Sequence, residues 1–218
     1  MTSGAPTHPQ AGAHYVCRLR PPPAGTLAAM DQVEALLIGG RAGVGKTTVG
    51  WEVSARLRAA GVAHAVVEGD YLGQIHPAPD GDPRRAGITE RNLRAVWANF
   101  AEQGCRRLIY TNTVSVLPAA TGMFERAMGP GVRLIRVLLT ATDDTACARL
   151  TGREIGSELE GELAASLRKA RLLEREATAD TVRVATDGRA VTDIAREVVA
   201  ATGWAADDLA PAPVLPYG

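Results

Sequence analysis

A nine-residue run, Gly40-Arg41-Ala42-Gly43-Val44-Gly45-Lys46-Thr47-Thr48, separates an apolar stretch, Val33 to Ile38, from a helix-like stretch, Val49 to Ala60. It fits the pattern G-x-x-x-x-G-K-[ST]. Glycines in that pattern let the backbone curl so that successive N–H groups point inward at a phosphate; the lysine ammonium reaches the outer phosphates, and the Ser/Thr hydroxyl, here Thr47, ligates Mg²⁺. The positive N-terminal end of the following helix adds to the same anion site. Lysine usage sharpens the reading. Of the 24 basic residues only Lys46 and Lys169 are lysine. Arginine therefore serves wherever a generic positive charge suffices, and position 46 keeps a compact point charge that a planar guanidinium reproduces poorly. Gly40 to Thr48 are the candidate phosphate-binding residues.

The pattern also demands a strand before it and a helix after it, and the rest of the chain continues that alternation. Val33 to Ile38 reads as the first strand, and Val49, Val53, Leu57 and Ala60 mark the helix that follows. A second strand, Ala63 to Val67, ends on Glu68-Gly69-Asp70. Tyr71 to Gly87 reads as a long polar loop rich in Pro and Gly. Thr89-Glu90-Arg91-Asn92 then looks like a capped helix start, with Leu93, Val96, Trp97 and Phe100 as an apolar stripe. Further strands are expected at Arg107 to Tyr110, Leu134 to Leu139 and Thr181 to Ala185. The helices between and after them fall around Ala119 to Met128, from Asp143 or Asp144, from Ser157 to Ala177, and around Val191 to Val198. Short strands with helices between most of them imply an α/β fold in three layers, a five-stranded parallel sheet with helices on both faces, and ligands at the carboxyl ends of the strands.

Composition bounds the rest. A chain of 218 residues with 46% hydrophobic content can bury one sizeable core. Residues 1–29, which include Pro21-Pro22-Pro23 and show no sustained period, read as a disordered extension; 30–205 form the domain and 206–218 a loose tail. Zero formal net charge argues against a nucleic-acid or anionic-membrane surface. Neither a membrane-length apolar stretch nor the apolar run of a signal peptide is present, so a cytoplasmic protein, monomer or homodimer, is expected. Cys17, Cys105 and Cys147 are an odd set without C-x-x-C spacing, which fits a reducing compartment and packing roles.

Glu68 and Asp70, at the end of the second strand, are the candidates for preparing an attacking oxygen. Asp70 is placed ahead of Glu68. An aspartate there could accept a hydrogen bond from a substrate hydroxyl and take its proton; it could instead cap the next turn or hold a magnesium-bound water. Taken together, the strand, the glycine loop, the helix, the strand ending Glu68-Gly69-Asp70 and the following Arg91-Asn92-Leu93-Arg94 resemble the small P-loop kinases related to adenylylsulfate kinase and gluconate kinase. The resemblance runs from about Val33 to Gly203 and implies a nucleoside-monophosphate-kinase-like P-loop fold. It implies Asp70 as the base or acceptor-orienting residue, and Glu68, Arg91, Asn92 and Arg94 as substrate-side residues. It further implies that Arg149 and Arg153, four apart on one helix face, belong to a mobile lid closing over the phosphates, and that Asp187-Gly188 lies in the loop that meets the adenine base.

The third strand departs from many P-loop enzymes. It ends Tyr110-Thr111-Asn112-Thr113, with no aspartate for Mg²⁺, so the metal is expected on Thr47, phosphate oxygens and waters held by Asp70. A guanine-specific Asn/Thr-Lys-x-Asp element is also missing, since Lys169 is followed by Ala170-Arg171. The expected activity is ATP-dependent, Mg²⁺-assisted phosphoryl transfer to a hydroxyl of a small molecule. The alternative is an ATP-binding regulatory or resistance protein with no small-molecule acceptor.

Overall fold

In the computed structural model, residues 32–153 and 159–205 are described. The 1–29 extension and the 206–218 tail lie outside these residues, as does the side chain of Arg153. Along the chain the elements are β1 (Glu34–Gly39), α1 (Lys46–Ala59), β2 (Ala65–Glu68), α2 (Gly69–Leu72), α3 (Ala86–Glu102), β3 (Arg107–Thr111), a 3₁₀ turn (Pro118–Ala120), α4 (Thr121–Met128), β4 (Arg133–Thr140), α5 (Asp143–Arg153), α6 (Leu159–Glu176), β5 (Val182–Ala185) and α7 (Val191–Thr202). No helix among the described residues is long and apolar enough to cross a membrane.

All five strands pair in parallel, in the order β2-β3-β1-β4-β5. Every residue of β1 is buried. Because successive side chains of a strand point to opposite faces, β1 feeds two cores at once. Leu36 and Ile38 join Val49, Val53 and Leu57 of α1 and Ile194, Ala195, Val198 and Val199 of α7 on one face. Ala35 and Leu37 join Leu93 and Trp97 of α3, Phe124 and Met128 of α4, and Leu173 of α6 on the other. The three-layer α/β fold with a five-stranded parallel sheet, expected from the alternating pattern, is the fold observed.

Two boundaries differ from the sequence expectation, and both bear on the site. The stretch beginning at Tyr71 is not loop throughout, since Gly69–Leu72 forms a helical turn at once after β2. Nor does Thr89 cap α3. That helix begins at Ala86, with Arg85 ahead of it in the left-handed conformation at φ 57°. Thr89 Oγ1 instead donates back to the Arg85 carbonyl at 2.7 Å, within the first turn. The cap comes from Asp82, whose Oδ2 accepts from the Ile88 N–H at 3.1 Å. A Ser/Thr hydroxyl bonding four residues back mimics, in sequence, the signature of a cap.

Gly69 sets how close the α2 turn lies to the sheet. Beneath it sits Tyr110, almost fully buried and packed edge-on against Phe124 with ring centroids 5.1 Å apart. A Cβ on residue 69 would overlap the Tyr110 phenol ring itself. Gly69→Ala is therefore expected to cost about 1–3 kcal/mol through overpacking and to lower the thermal unfolding midpoint by roughly 3–10 °C. A midpoint unchanged from wild type would show that the turn does not rest on Tyr110.

Candidate functional site

The glycine loop leaves the carboxyl end of β1 and closes onto α1. The Gly40 N–H donates to the Thr113 carbonyl at 3.1 Å, so the loop starts hydrogen-bonded to the segment that follows β3. Gly43 (φ 86°) lies against the backbone of α5, where a Cβ would strike the Ala146 carbonyl. Lys46 Nζ donates to the Arg41 carbonyl at 3.3 Å, which folds the ammonium back over the loop. Val44 is buried among the residues of the α1 and α7 core.

Arg41 does something other than reach for phosphate with its guanidinium. Its side chain is 4% exposed. Nε donates to Ser166 Oγ of α6 at 2.9 Å, and Nη1 pairs with the Asp143 carboxylate at the start of α5. The Ser166 hydroxyl in turn donates to the Ala42 carbonyl at 3.2 Å. Two side chains from distant sequence thus clamp the outer limb of the loop. A buried guanidinium is tolerated only when paired and hydrogen-bonded.

Thr47 opens the first turn of α1, and its hydroxyl donates to Glu68 Oε2 at 3.1 Å. Asp70 lies two residues beyond Glu68, exposed, on the first turn of α2. Its Oδ1 accepts from Asn112 Nδ2 at 2.5 Å. Asn112 is itself fixed: its Oδ1 accepts from the Val114 N–H at 3.0 Å, and its backbone N–H bonds the Ile38 carbonyl at 3.2 Å. With the amide oxygen committed, the NH₂ group is aimed at Asp70.

Asp70 and Asn112 line a cavity of about 310 Å³ whose other walls include Gln74, Arg84, Arg85 and Thr89. Apart from Asp70, these residues were not among the sequence candidates. Their signal was present in the Pro- and Gly-rich stretch that carries an Arg-Arg pair into a helix, and in the Asn at a strand's carboxyl end. Arg91, Asn92 and Arg94 do not line this cavity. Asn92 Nδ2 donates to the Leu72 carbonyl at 2.8 Å and fastens α3 to α2. Arg94 bonds Glu90 at 3.0 Å and the Arg126 carbonyl at 3.1 Å. Glu90 takes a two-pronged contact from Arg126, and that hydrogen bonding holds its carboxyl below the usual range. Arg91 is exposed beside Gly87.

On the opposite side of the loop, Arg149 of α5 does not extend over the phosphate loop. Its guanidinium donates to Thr186 Oγ1 at 3.0 Å and to the Thr186 carbonyl at 3.1 Å. Asp187 accepts from the Thr142 N–H at 3.0 Å and from the Thr142 hydroxyl at 2.8 Å. Thr186 and Asp187, after β5, are therefore joined to the β4–α5 segment by two sets of contacts, through Arg149 of α5 and through Thr142 just before it. Hydrogen bonds from Thr145 and Thr142 hold the Asp187 carboxyl down to about 2.

Among solved structures, the chain is similar to the Deinococcus radiodurans tunicamycin resistance protein, with a TM-score of 0.57 and 21% identity over 83% of this chain and 100% of that one. It is similar also to the shikimate kinase of Bacteroides thetaiotaomicron, with a TM-score of 0.51 and 14% identity over 75% and 95% of the two chains. A gluconokinase from Sinorhizobium meliloti 1021 aligns at a TM-score of 0.49 and 18% identity over 77% and 90%. No protein-family model matches the sequence, and no curated protein matches it. The fold is that of the P-loop kinases, in agreement with the resemblance read from the sequence.

The Asp187 contacts carry a pH signature. A carboxyl whose folded pKa lies below its unfolded value of about 3.9 stabilises the fold fully above that value and loses the contribution as pH falls toward 2. Asp187→Ala should therefore flatten the acid limb of the stability curve between about pH 4 and pH 2, measured by urea unfolding at stepped pH. An acid limb as steep as that of wild type would show that the Thr142 contacts contribute nothing to folding.

Proposed function

We propose that the chain is a kinase that transfers the γ-phosphoryl group of ATP, with Mg²⁺, to a hydroxyl of a small molecule in the cytoplasm. One observation carries the reading: an acid, Asp70, held at the wall of a cavity by Asn112, whose chain neighbour Thr113 accepts a hydrogen bond from Gly40 of the phosphate loop. An oriented acid beside a cavity of ligand size favours an acceptor hydroxyl over binding of nucleotide alone. Free, half-buried Cys105 and Cys147 fit the reducing compartment.

In this reading the N–H groups of Gly40 to Thr48 surround the phosphates and Lys46 meets the charge that builds on the outer ones. Thr47 and Glu68 present hard oxygen donors 3.1 Å apart, a set that suits Mg²⁺, and no cluster of three or more His, Cys, Asp or Glu exists among the described residues. Mg²⁺ commonly takes one or two protein oxygens, with phosphate and water completing the shell. When bound there it would neutralise charge on the transferring group. Glu68 thus takes up the metal-side role that the missing third-strand aspartate left open.

The acceptor hydroxyl donates to Asp70 Oδ2, the carboxylate oxygen that Asn112 leaves available. Its oxygen forms a bond to the γ-phosphorus as the bond from phosphorus to the ADP oxygen breaks. The proton passes to Asp70 and then to solvent. Phosphoryl transfer of this kind depends chiefly on positioning and charge stabilisation. Asn112 acts through Asp70 and is a positioning residue.

Three variants test the assignment in an assay of label transfer from γ-labelled ATP to a metabolite extract. Lys46→Ala and Asp70→Asn should each lower kcat by about 10²–10⁴. Asn112→Ala should lower kcat by about tenfold to a hundredfold with KM for ATP unchanged. An Asp70→Asn enzyme as fast as wild type would remove Asp70 from the reaction, and no labelled product from the wild-type protein with any fraction of the extract would overturn the kinase reading.

A further inference from the structure

The Arg41 guanidinium keeps one nitrogen unused. Its Nε donates to Ser166 Oγ and its Nη1 pairs with Asp143, but Nη2 is buried without a hydrogen-bond partner. Among the described residues only Trp204 Nε1 shares that state. A buried donor left unpaired has given up its hydration without return, and folded chains hold few of them. The positive charge of Arg41 is already matched by Asp143. Nη2 therefore lacks an acceptor, not an anion.

Arg41 also lines a cavity of about 100 Å³ that shares no residue with the one beside Asp70; its walls are the carboxyl end of β4, at Leu138 and Leu139, and the inner face of α6, at Ala170 and Leu173. The space is written in the sequence. Ser166, Ala170 and Leu173 recur at helical spacing, so they share the face of α6 on which Ser166 and Leu173 are buried. Between those two, Ala170 offers a single methyl group. An apolar cavity of roughly 150 Å³ takes up benzene, so one of this size suits a molecule of about five or six non-hydrogen atoms. Charge narrows the choice. Glu174 adds a carboxylate to the wall. It is exposed and paired with Arg183 at 2.9 Å, and it disfavours a second anion beside it.

We infer that this cavity is a second small-molecule site, behind the glycine loop: it takes a neutral carbonyl compound whose oxygen accepts from Arg41 Nη2 and whose apolar body lies against Leu138, Leu139 and Leu173. A ligand there acts on the loop, because Arg41 belongs to the loop and its guanidinium ties it to α5 and α6. Completing the hydrogen bonds of the guanidinium stabilises the clamped loop, the form to which phosphates bind. The ligand then tightens nucleotide binding, and nucleotide must tighten the ligand by the same factor. The site requires that the glycine loop bind nucleotide but not that the chain be a kinase.

The test uses the full chain loaded with Mg²⁺ and a non-hydrolysable ATP analogue, which keeps the probes out of the nucleotide site, and reads binding by proton NMR titration. Three probes of one size separate the chemistries: isobutyramide carries a neutral carbonyl, isobutyrate a charged carboxylate, and isobutylammonium no acceptor. Isobutyramide should bind at least tenfold more tightly than either of the others. Arg41→Met keeps the length of the side chain without its donors and should weaken isobutyramide at least tenfold. Ala170→Leu fills the cavity from α6 with Arg41 intact; it should abolish binding, and it guards against a loop defect in Arg41→Met. Calorimetry should show the analogue binding at least threefold more tightly at saturating isobutyramide in the wild-type protein, and unchanged in Ala170→Leu. Four results would each overturn the site: no binding of isobutyramide, so that water alone fills the cavity; equal or tighter binding of isobutyrate or isobutylammonium; isobutyramide binding undiminished in Ala170→Leu; or analogue affinity unmoved or lowered by the probe. A parallel assay with γ-labelled ATP separates the two proposals. Probe binding and coupling without labelled product from any extract would sink the kinase reading and leave this site standing, and labelled product with no probe bound would do the reverse.

Discussion

A strand buried on both faces and paired on both sides has polar freedom only at its ends. β1 is such a strand: all six residues are buried, β3 and β4 flank it, and its side chains seed both cores. Its backbone leaves the sheet at Gly39 between two parallel neighbours, at the carboxyl end, where open parallel sheets hold their ligands. The glycine loop is therefore located by the packing of the central strand. The same geometry places Glu68 and Asn112 beside the loop, because β2 and β3 run parallel to β1 and end at the same level: Glu68 is in register with Thr111, and Thr111 with Ile38. One register thus brings the Glu68 carboxylate and the Asn112 amide to the loop.

Charge is distributed with the same dependence on position. The buried Arg41 guanidinium, the Glu34 pairs at the opposite end of the sheet and the Glu90–Arg126 contact between α3 and α4 all join elements that are distant in sequence. Exposed pairs of this type contribute little stability each. Arg41 differs because its partner atoms come from α5 and α6, so the conformation of the phosphate loop is tied to the two helices that follow β4. The Arg149–Thr186 and Thr142–Asp187 contacts extend the tie to the loop after β5. A movement of α5 would be felt both at the glycine loop and at the loop after β5.

Fold class was legible because it depends on patterns that survive local error. Five apolar runs separated by helical periodicity give a parallel sheet even though β2 starts two residues later than Ala63 and α3 three residues earlier than Thr89. The phosphate loop was legible because its backbone requirement is written in glycines. The acceptor side was less so. Arg91, Asn92 and Arg94 stood out by resemblance, yet Asn92 and Arg94 hydrogen-bond to neighbouring backbone and to Glu90. The cavity is lined instead by the end of a loop, at Arg84 and Arg85, whose position depends on the Asp82 cap and a left-handed residue that no periodicity reveals. The lid arginines came from the resemblance and a four-residue spacing, and neither says that Arg149 will find Thr186.

What the site asks of Asp70 follows from its surroundings. Asp70 is exposed and carries a hydrogen bond from Asn112 on one oxygen. That arrangement fixes the direction of the remaining oxygen. In the proposed reaction a loose transition state leaves the attacking oxygen with little bond formed when the leaving bond has largely broken, so the direction of that oxygen matters as well as the acid that takes its proton. In that proposed reaction Asn112, anchored through Val114 and Ile38 to the strand that launches the phosphate loop, would make the direction of the acceptor oxygen a property of the sheet.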